Sequence, residues 1–306
     1  MQRVLITGGS GLLALNWACC MRDSWEPVLA PHSKKVTLAG TKSAAIDLES
    51  AAALKKQIAQ IRPDLVVHTA GLTSVDLCEQ QPDAAMHANA GLARNIARAT
   101  AALDIKLIHI STDHLFDGAK SMYVESDPPA PVNVYARTKL QAELWVAQEN
   151  PAALIVRTNF FGWGHRDRLS FSDWIIGSLR SGKPVTMFDN VYFTPILADV
   201  LVRAAHDLAT NDARGIINVV GDERVSKYDF ALRLARVFGL PVELIQRGKL
   251  SRDSLLARRS LDMSLDNALA RNKLGRELGG LDSFFPVLQQ QESAGRRNEL
   301  LTAVME

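Results

Sequence analysis

Arg3-Val4-Leu5-Ile6-Thr7-Gly8-Gly9-Ser10-Gly11-Leu12-Leu13-Ala14 is the stretch that decides the fold. Five β-prone residues are followed at once by glycines that cannot extend a strand, and then by an apolar run long enough for a helix reaching about residue 22. In this Gly-x-x-Gly-x-x-Ala spacing Gly8 permits a tight turn and Gly11 lets a pyrophosphate come close to the backbone. The small Ala14 lets the helix lie against the strand, so its N-terminus faces the phosphates. The spacing predicts a dinucleotide-binding turn with Gly8, Ser10, Gly11, Leu12 and Leu13 at the cofactor.

Outward from this turn, short β-rich runs alternate with helical ones, the pattern of a parallel sheet covered on both faces. Strands are expected at 27–30, more weakly at 35–38, and at 65–67, 107–110 and 153–156, with helices over 50–61 and 84–102. The fold class read from this order is α/β, a doubly wound, Rossmann-like parallel sheet. After Arg157 the alternation weakens into longer loops, with helices near 172–180, 197–208 and 226–238. The expected division is therefore a nucleotide-binding domain over 1–157 and a smaller C-terminal substrate lobe over 158–306. A seventh strand at 216–220 would interleave the two, and the tail from 289 to 306 reads as a helix of unassigned attachment.

Composition narrows the possible functions. The 306 residues are 47% hydrophobic and 22% charged, enough for a substantial core, and 35 Lys+Arg against 33 Asp+Glu leave a formal charge of +2. The basic residues form no stripe, which argues against nucleic-acid binding. Cys19, Cys20 and Cys78 suit no disulfide framework, so a reducing, cytoplasmic setting is expected. The run from Gly11 to Met21 contains Asn16 and follows a strand and turn, so it reads as a helix and not as a signal peptide; no run has the length of a membrane span. The histidines and cysteines show no zinc-type spacing, and no metal is expected.

The second strand ends in Ala30-Pro31-His32-Ser33-Lys34-Lys35. An acid here would bind the ribose 2′-hydroxyl and repel a 2′-phosphate; its absence, with a hydroxyl and cations instead, favours NADPH through His32, Ser33 and Lys34, with NADH as the alternative. Asp47 and Leu48 are expected beside the adenine. Ser111-Thr112-Asp113 closes a central strand, and Tyr135-Ala136-Arg137-Thr138-Lys139 puts a phenol and an ammonium on one helix face. The ammonium is expected to lower the phenol's pKa toward neutrality so that it can pass a proton, while the Thr112 hydroxyl holds a carbonyl oxygen. Asp76 and Glu79 read as caps of a helical turn. His165-Arg166-Asp167-Arg168 reads as a solvated loop, with a diphosphate clamp through Arg166 or Arg168 as the alternative.

These residues resemble the extended short-chain dehydrogenase/reductases, and within them the dTDP-4-dehydrorhamnose reductase family. The likeness rests on Val4–Gly8, Thr73-Ser74-Val75-Asp76 with Glu79, Ile110–Gly118, Tyr123 with Glu125, and Pro131–Tyr135 continuing through Lys139-Leu140 to Glu143. It extends more loosely through Arg157–Gly162 and Phe193-Thr194-Pro195. The resemblance implies reduction of the 4-keto group of a nucleotide-linked 6-deoxysugar. In it Thr112 orients the keto oxygen, Tyr135 protonates it, and Lys139 binds the nicotinamide ribose. Thr69, Ala70 and Gly71 would lie under the cofactor ribose. Candidate substrate contacts are Thr73, Asp113, His114, Asn159, Phe160 and Trp163. Ala14 and Ala136 stand where the family has glycines, His68 where Asn is usual, His114 where an aromatic is frequent, and Arg259-Ser260 where Arg-Pro is usual. The expected partner is a nucleotide-sugar small molecule, with a homodimer as a candidate assembly and neither nucleic acid nor membrane as partner. Two other readings keep the same motifs: another reductase or epimerase activity of the superfamily, and an idle NADP-binding regulatory subunit.

Overall fold

The computed structural model describes residues 1–251 and 256–305. Seven strands form one wholly parallel sheet: β1 (Arg3–Thr7), β2 (Glu26–Ala30), β3 (Lys42–Ser43), β4 (Leu65–His68), β5 (Lys106–Ile110), β6 (Leu154–Arg157) and β7 (Gly215–Asn218). Their spatial order is β3-β2-β1-β4-β5-β6-β7, so the winding reverses between β1 and β4. In such sheets the crevice at the carboxyl ends of the two strands flanking the reversal takes the ligand.

Alternation along the central strands sends their side chains into two cores. Val4, Ile6, Val67 and Ile108 pack toward α1 (Leu12–Met21), whereas Leu5, Val66 and Leu107 pack toward α2 (Ala51–Ile61), α3 (Leu92–Ala101) and α4 (Val134–Glu149). Because these strands are buried on both faces, they read as continuous apolar runs, with Thr7, His68 and His109 as the buried polar exceptions.

Three expectations change. The strand expected at 35–38 is extended only over Lys35–Val36, which lies outside the main sheet and pairs antiparallel with Val304–Met305; Lys42–Ser43 takes the edge of the sheet instead. The helix expected over 84–102 begins at Pro82 and passes through a π-helical turn, His87–Gly91, before α3. The tail is two helices and a short strand, since Gly295, at a φ of 86°, separates Leu281–Ser293 from Arg296–Thr302. It is attached through Arg296 to Asp199 at 2.9 Å and Glu299 to Arg22.

Beyond Arg157 the chain leaves the sheet, builds α5 (Phe171–Arg180) and α6 (Ala198–Thr210), returns as β7, and leaves again to form α7 (Lys227–Val237). Short pairs hold this half together: Phe160–Phe161 beside Ile196–Leu197, Tyr192–Phe193 beside Val225–Ser226, and Val185–Phe188 beside Ile245–Gly248. Phe161, Phe193, Phe230, Phe284 and Phe285 form its aromatic centre, with Phe161 and Phe230 edge to face at 5.1 Å.

Candidate active site

The turn after β1 is built so that only glycine fits. Gly8 has a φ of 68°, and a Cβ on it would come within 2.8 Å of the Ala70 backbone. A Cβ on Gly9 would lie 2.7 Å from the Ala30 nitrogen, so Gly9, to which the sequence assigned no role, seats the turn against the end of β2. Gly11 caps α1 with no side chain hydrogen-bonded to the helix's first N–H groups, which leaves them for an anion. Ala14 is wholly buried at the packing point under the helix. On the far side of the crevice the Thr69 hydroxyl donates to the Thr7 carbonyl at 2.7 Å, which places Thr69, Ala70 and Gly71 opposite the turn. This cradle fits the diphosphate and ribose of a dinucleotide, whose nicotinamide would supply a hydride.

Two elements bring the catalytic candidates together. Thr112, Asp113 and His114 follow β5, while Tyr135 and Lys139 lie one turn apart on α4, with Tyr135 and Lys139 both nearly buried. Asn133 caps α4, accepting the Ala136 N–H at 2.9 Å and donating to the Arg258 carbonyl at 2.8 Å, and this cap fixes where the helix presents Tyr135. The His114 ring meets the Tyr135 ring edge to face at 5.6 Å. Asp113 accepts from the Asn159 amide at 2.5 Å, and the Thr112 hydroxyl is 3.3 Å from the Asp113 carboxylate.

Lys139 donates to the Ile110 carbonyl at 2.7 Å, and burial pulls its ammonium down to about 8 against the opposing charge of Glu143. Tyr135 departs from expectation. Burial pushes its phenol up to about 12, with the Thr112 hydroxyl pulling the other way. Desolvation of the phenolate outweighs that hydrogen bond. A phenol held protonated is the form that can donate a proton to a carbonyl oxygen.

The loop under the cluster is supported by residues to which the sequence assigned no role in the site. Asn89, in the π-helical turn, accepts the Leu72 N–H at 2.6 Å and donates to Thr138 at 2.8 Å, joining the 69–73 loop to α4. Arg157 and Glu143 form a buried pair at 2.8 Å, and Glu143 also accepts from Ser111 at 2.5 Å, so the start of the 111–114 loop is held from below.

The other predicted positions divide. Phe160 is half-buried on the lobe side and Thr73 is exposed at the mouth of the crevice. Trp163 is a correction: its indole is wholly buried and donates to the Leu288 carbonyl at 3.1 Å, with Gly162 and Gly164 buried on either side, so it is a core residue. The carboxylate of Asp47 accepts the Glu49 N–H at 2.9 Å and the Leu48 carbonyl accepts from Asn95 at 2.9 Å, so both are engaged in ordering the turn before α2. His32 and Ser33 are exposed beyond β2, and Lys34 there pairs with Asp167. Arg168 donates to Thr73, so the 165–168 loop reaches both ends of the crevice and is not merely solvated. Glu79 accepts the Val134 N–H at 2.9 Å and Asp76 pairs with Arg259 at 3.0 Å, so these acids tie the helical turn to α4 and to the lobe. No cluster of three or more His, Cys, Asp or Glu among the described residues could hold a metal ion, and none of their helices is long and apolar enough to cross a membrane.

Known proteins share this architecture. The model of the RmlD substrate binding domain matches residues 1–280. The probable low-salt glycan biosynthesis reductase Agl14 of Haloferax volcanii is 30% identical over 268 residues, covering 85% of this chain and 89% of that protein. Methionine adenosyltransferase 2 subunit beta of Rattus norvegicus is 30% identical over 259 residues, covering 78% and 73%. The crystal structure of a hypothetical dTDP-4-dehydrorhamnose reductase from Sulfolobus tokodaii is 34% identical with a TM-score of 0.79, covering 92% of this chain and 98% of that one. With the family model spanning the sheet, the catalytic cluster and most of the second lobe, the chain belongs to the RmlD substrate binding domain family.

Proposed function

We propose that the protein is an NADPH-dependent reductase of a keto group on a nucleotide-linked deoxysugar, a dTDP-4-keto-6-deoxyhexose being the favoured substrate. The observation that carries this reading is the protonated, buried Tyr135 beside Thr112 at the carboxyl end of β5, next to a dinucleotide crevice and under a second lobe. Tyr135 gives its proton to the keto oxygen, Thr112 holds that oxygen, and Lys139, fixed on the Ile110 carbonyl, holds the ribose side of the site. The reductases among the similar proteins support it. The test is loss of NADPH absorbance on adding a panel of nucleotide-linked keto sugars, with the product's configuration read by NMR. Inertness across the panel would refute the reading.

A second reading is favoured by the likeness to a methionine adenosyltransferase subunit: a dinucleotide-binding regulatory subunit. A stoichiometric partner retained on purification, together with no reductase activity, would put this reading first.

A further inference from the structure

Lys227 is the first residue of α7 and is pinned through its backbone. Its N–H donates to the Val191 carbonyl at 2.9 Å, and the preceding Val225–Ser226 pairs with Tyr192–Phe193. From there the half-buried side chain crosses two rings, with Nζ 3.4 Å from the centroid of Phe193 and 4.5 Å from that of Phe171. Cation–π contact offsets part of the cost of removing an ammonium from water, but it satisfies none of the three N–H donors. Among the described residues no hydrogen bond or ion pair reaches Nζ.

Phe193, whose ring lies under the ammonium, stands three residues before Ile196, whose N–H donates to the Asn159 carbonyl at 3.0 Å, and the Asn159 amide donates to Asp113 at 2.5 Å, so the ammonium is tied to the catalytic cluster through the lobe. Asp113 acts on its charge, and its charge acts on His114. Two further cations act on the same groups, Arg168 on Tyr135 and Arg259 on His114. Arg259 is paired with Asp76 and Arg168 is bonded to Thr73, so of these three cations Lys227 is the one whose donors are unused among the described residues. We propose that Lys227 is the anion-holding residue of the substrate cleft, taking a negatively charged oxygen of the substrate, either a phosphate oxygen of the diphosphate link or a carboxylate on the sugar. The inference rests on the reading of the cleft as a keto-sugar site.

Calorimetric titration of the NADP-saturated protein with thymidine diphosphate, dTDP-glucose and UDP-glucuronic acid tests it without requiring turnover. Lys227→Met, which keeps the stem between the rings, and Lys227→Gln should bind at least one of these probes about ten- to a hundredfold more weakly than the wild type, and Lys227→Arg should restore most of the loss. NADPH affinity should be unchanged in all three variants. Weakening that includes thymidine diphosphate assigns the phosphate, and weakening confined to UDP-glucuronic acid assigns the carboxylate. With any keto sugar that is turned over, KM should rise while kcat stays within a few-fold. Should Lys227→Met not fold, the Gln and Arg variants carry the comparison. Wild-type affinity for every probe in a folded Met or Gln variant overturns the proposal, as does a wild type that binds no probe. A wild type that binds the probes but reduces no keto sugar overturns only the reductase reading.

Discussion

At the scale of single residues the site depends on which protons stay in place. Tyr135 retains its proton at neutral pH because its surroundings cannot solvate a phenolate, so Tyr135→Phe should lower kcat by roughly 100- to 10,000-fold while leaving NADPH affinity intact. Lys139 has the opposite problem, since its charged form is the one that burial penalises. Below about 8 the lysine is protonated in both folded and unfolded chains, and the folded state bears the full penalty. Between that value and 10.5 the folded chain releases the proton first, so stability rises with pH across this window. Melting temperatures of wild type and Lys139→Met should therefore converge between pH 7 and about 9.5, with the variant gaining relatively more at the lower pH. Equal differences at the two pH values would refute the assignment. That Thr112 follows a central strand and that Tyr135 and Lys139 lie one turn apart on a helix was legible in the spacing. Trp163 was not, because a tryptophan between glycines reads alike whether the loop lies on the surface or folds beneath a helix.

Among the elements, α4 has most to do with placing the chemistry. Its N-cap Asn133 is bonded both to the helix and to the Arg258 carbonyl, so Asn133→Ala should cost about 1–2 kcal/mol of stability, read in urea melts, and should also lower kcat because Tyr135 sits two residues further on. Trp163→Phe removes the hydrogen bond to Leu288 and should cost about 1 kcal/mol with KM unchanged. A rise in KM would return Trp163 to the substrate site. Helices and central strands were readable from periodicity, whereas the short strands were not. Lys35–Val36 and Lys42–Ser43 are both brief and lysine-bearing, and what separates them is whether the partner is a tail more than 260 residues away or a neighbouring strand. The π-helical turn that holds Asn89 has no sequence signal of its own, since apolar spacing continues through it.

For the whole molecule, the 165–168 loop links the two ends of the crevice, through Asp167 to Lys34 and through Arg168 to Thr73. A 2′-phosphate seeking Lys34 has Asp167 as a competitor, so Asp167→Asn should tighten NADPH more than NADH, and Lys34→Ala with Lys35→Ala should weaken NADPH more than NADH, both measured by fluorescence titration. Equal changes for the two cofactors would remove Lys34 from the phosphate site. The near-neutral charge and the α/β order were visible in the sequence. The reach of this loop was not, because it joins residues 133 positions apart.

The return of the chain to the sheet at β7 bears on how relatives could be recombined. A single crossover at Arg157 would join one parent's six strands to a seventh from the other, leaving Ile217 and its neighbours to pack against a β6 they were not selected with. Moving a substrate specificity between two members of this family therefore calls for two segments, one ending before Gly215 and one beginning after Asn218, with the strand between them kept from the parent that supplies the sheet.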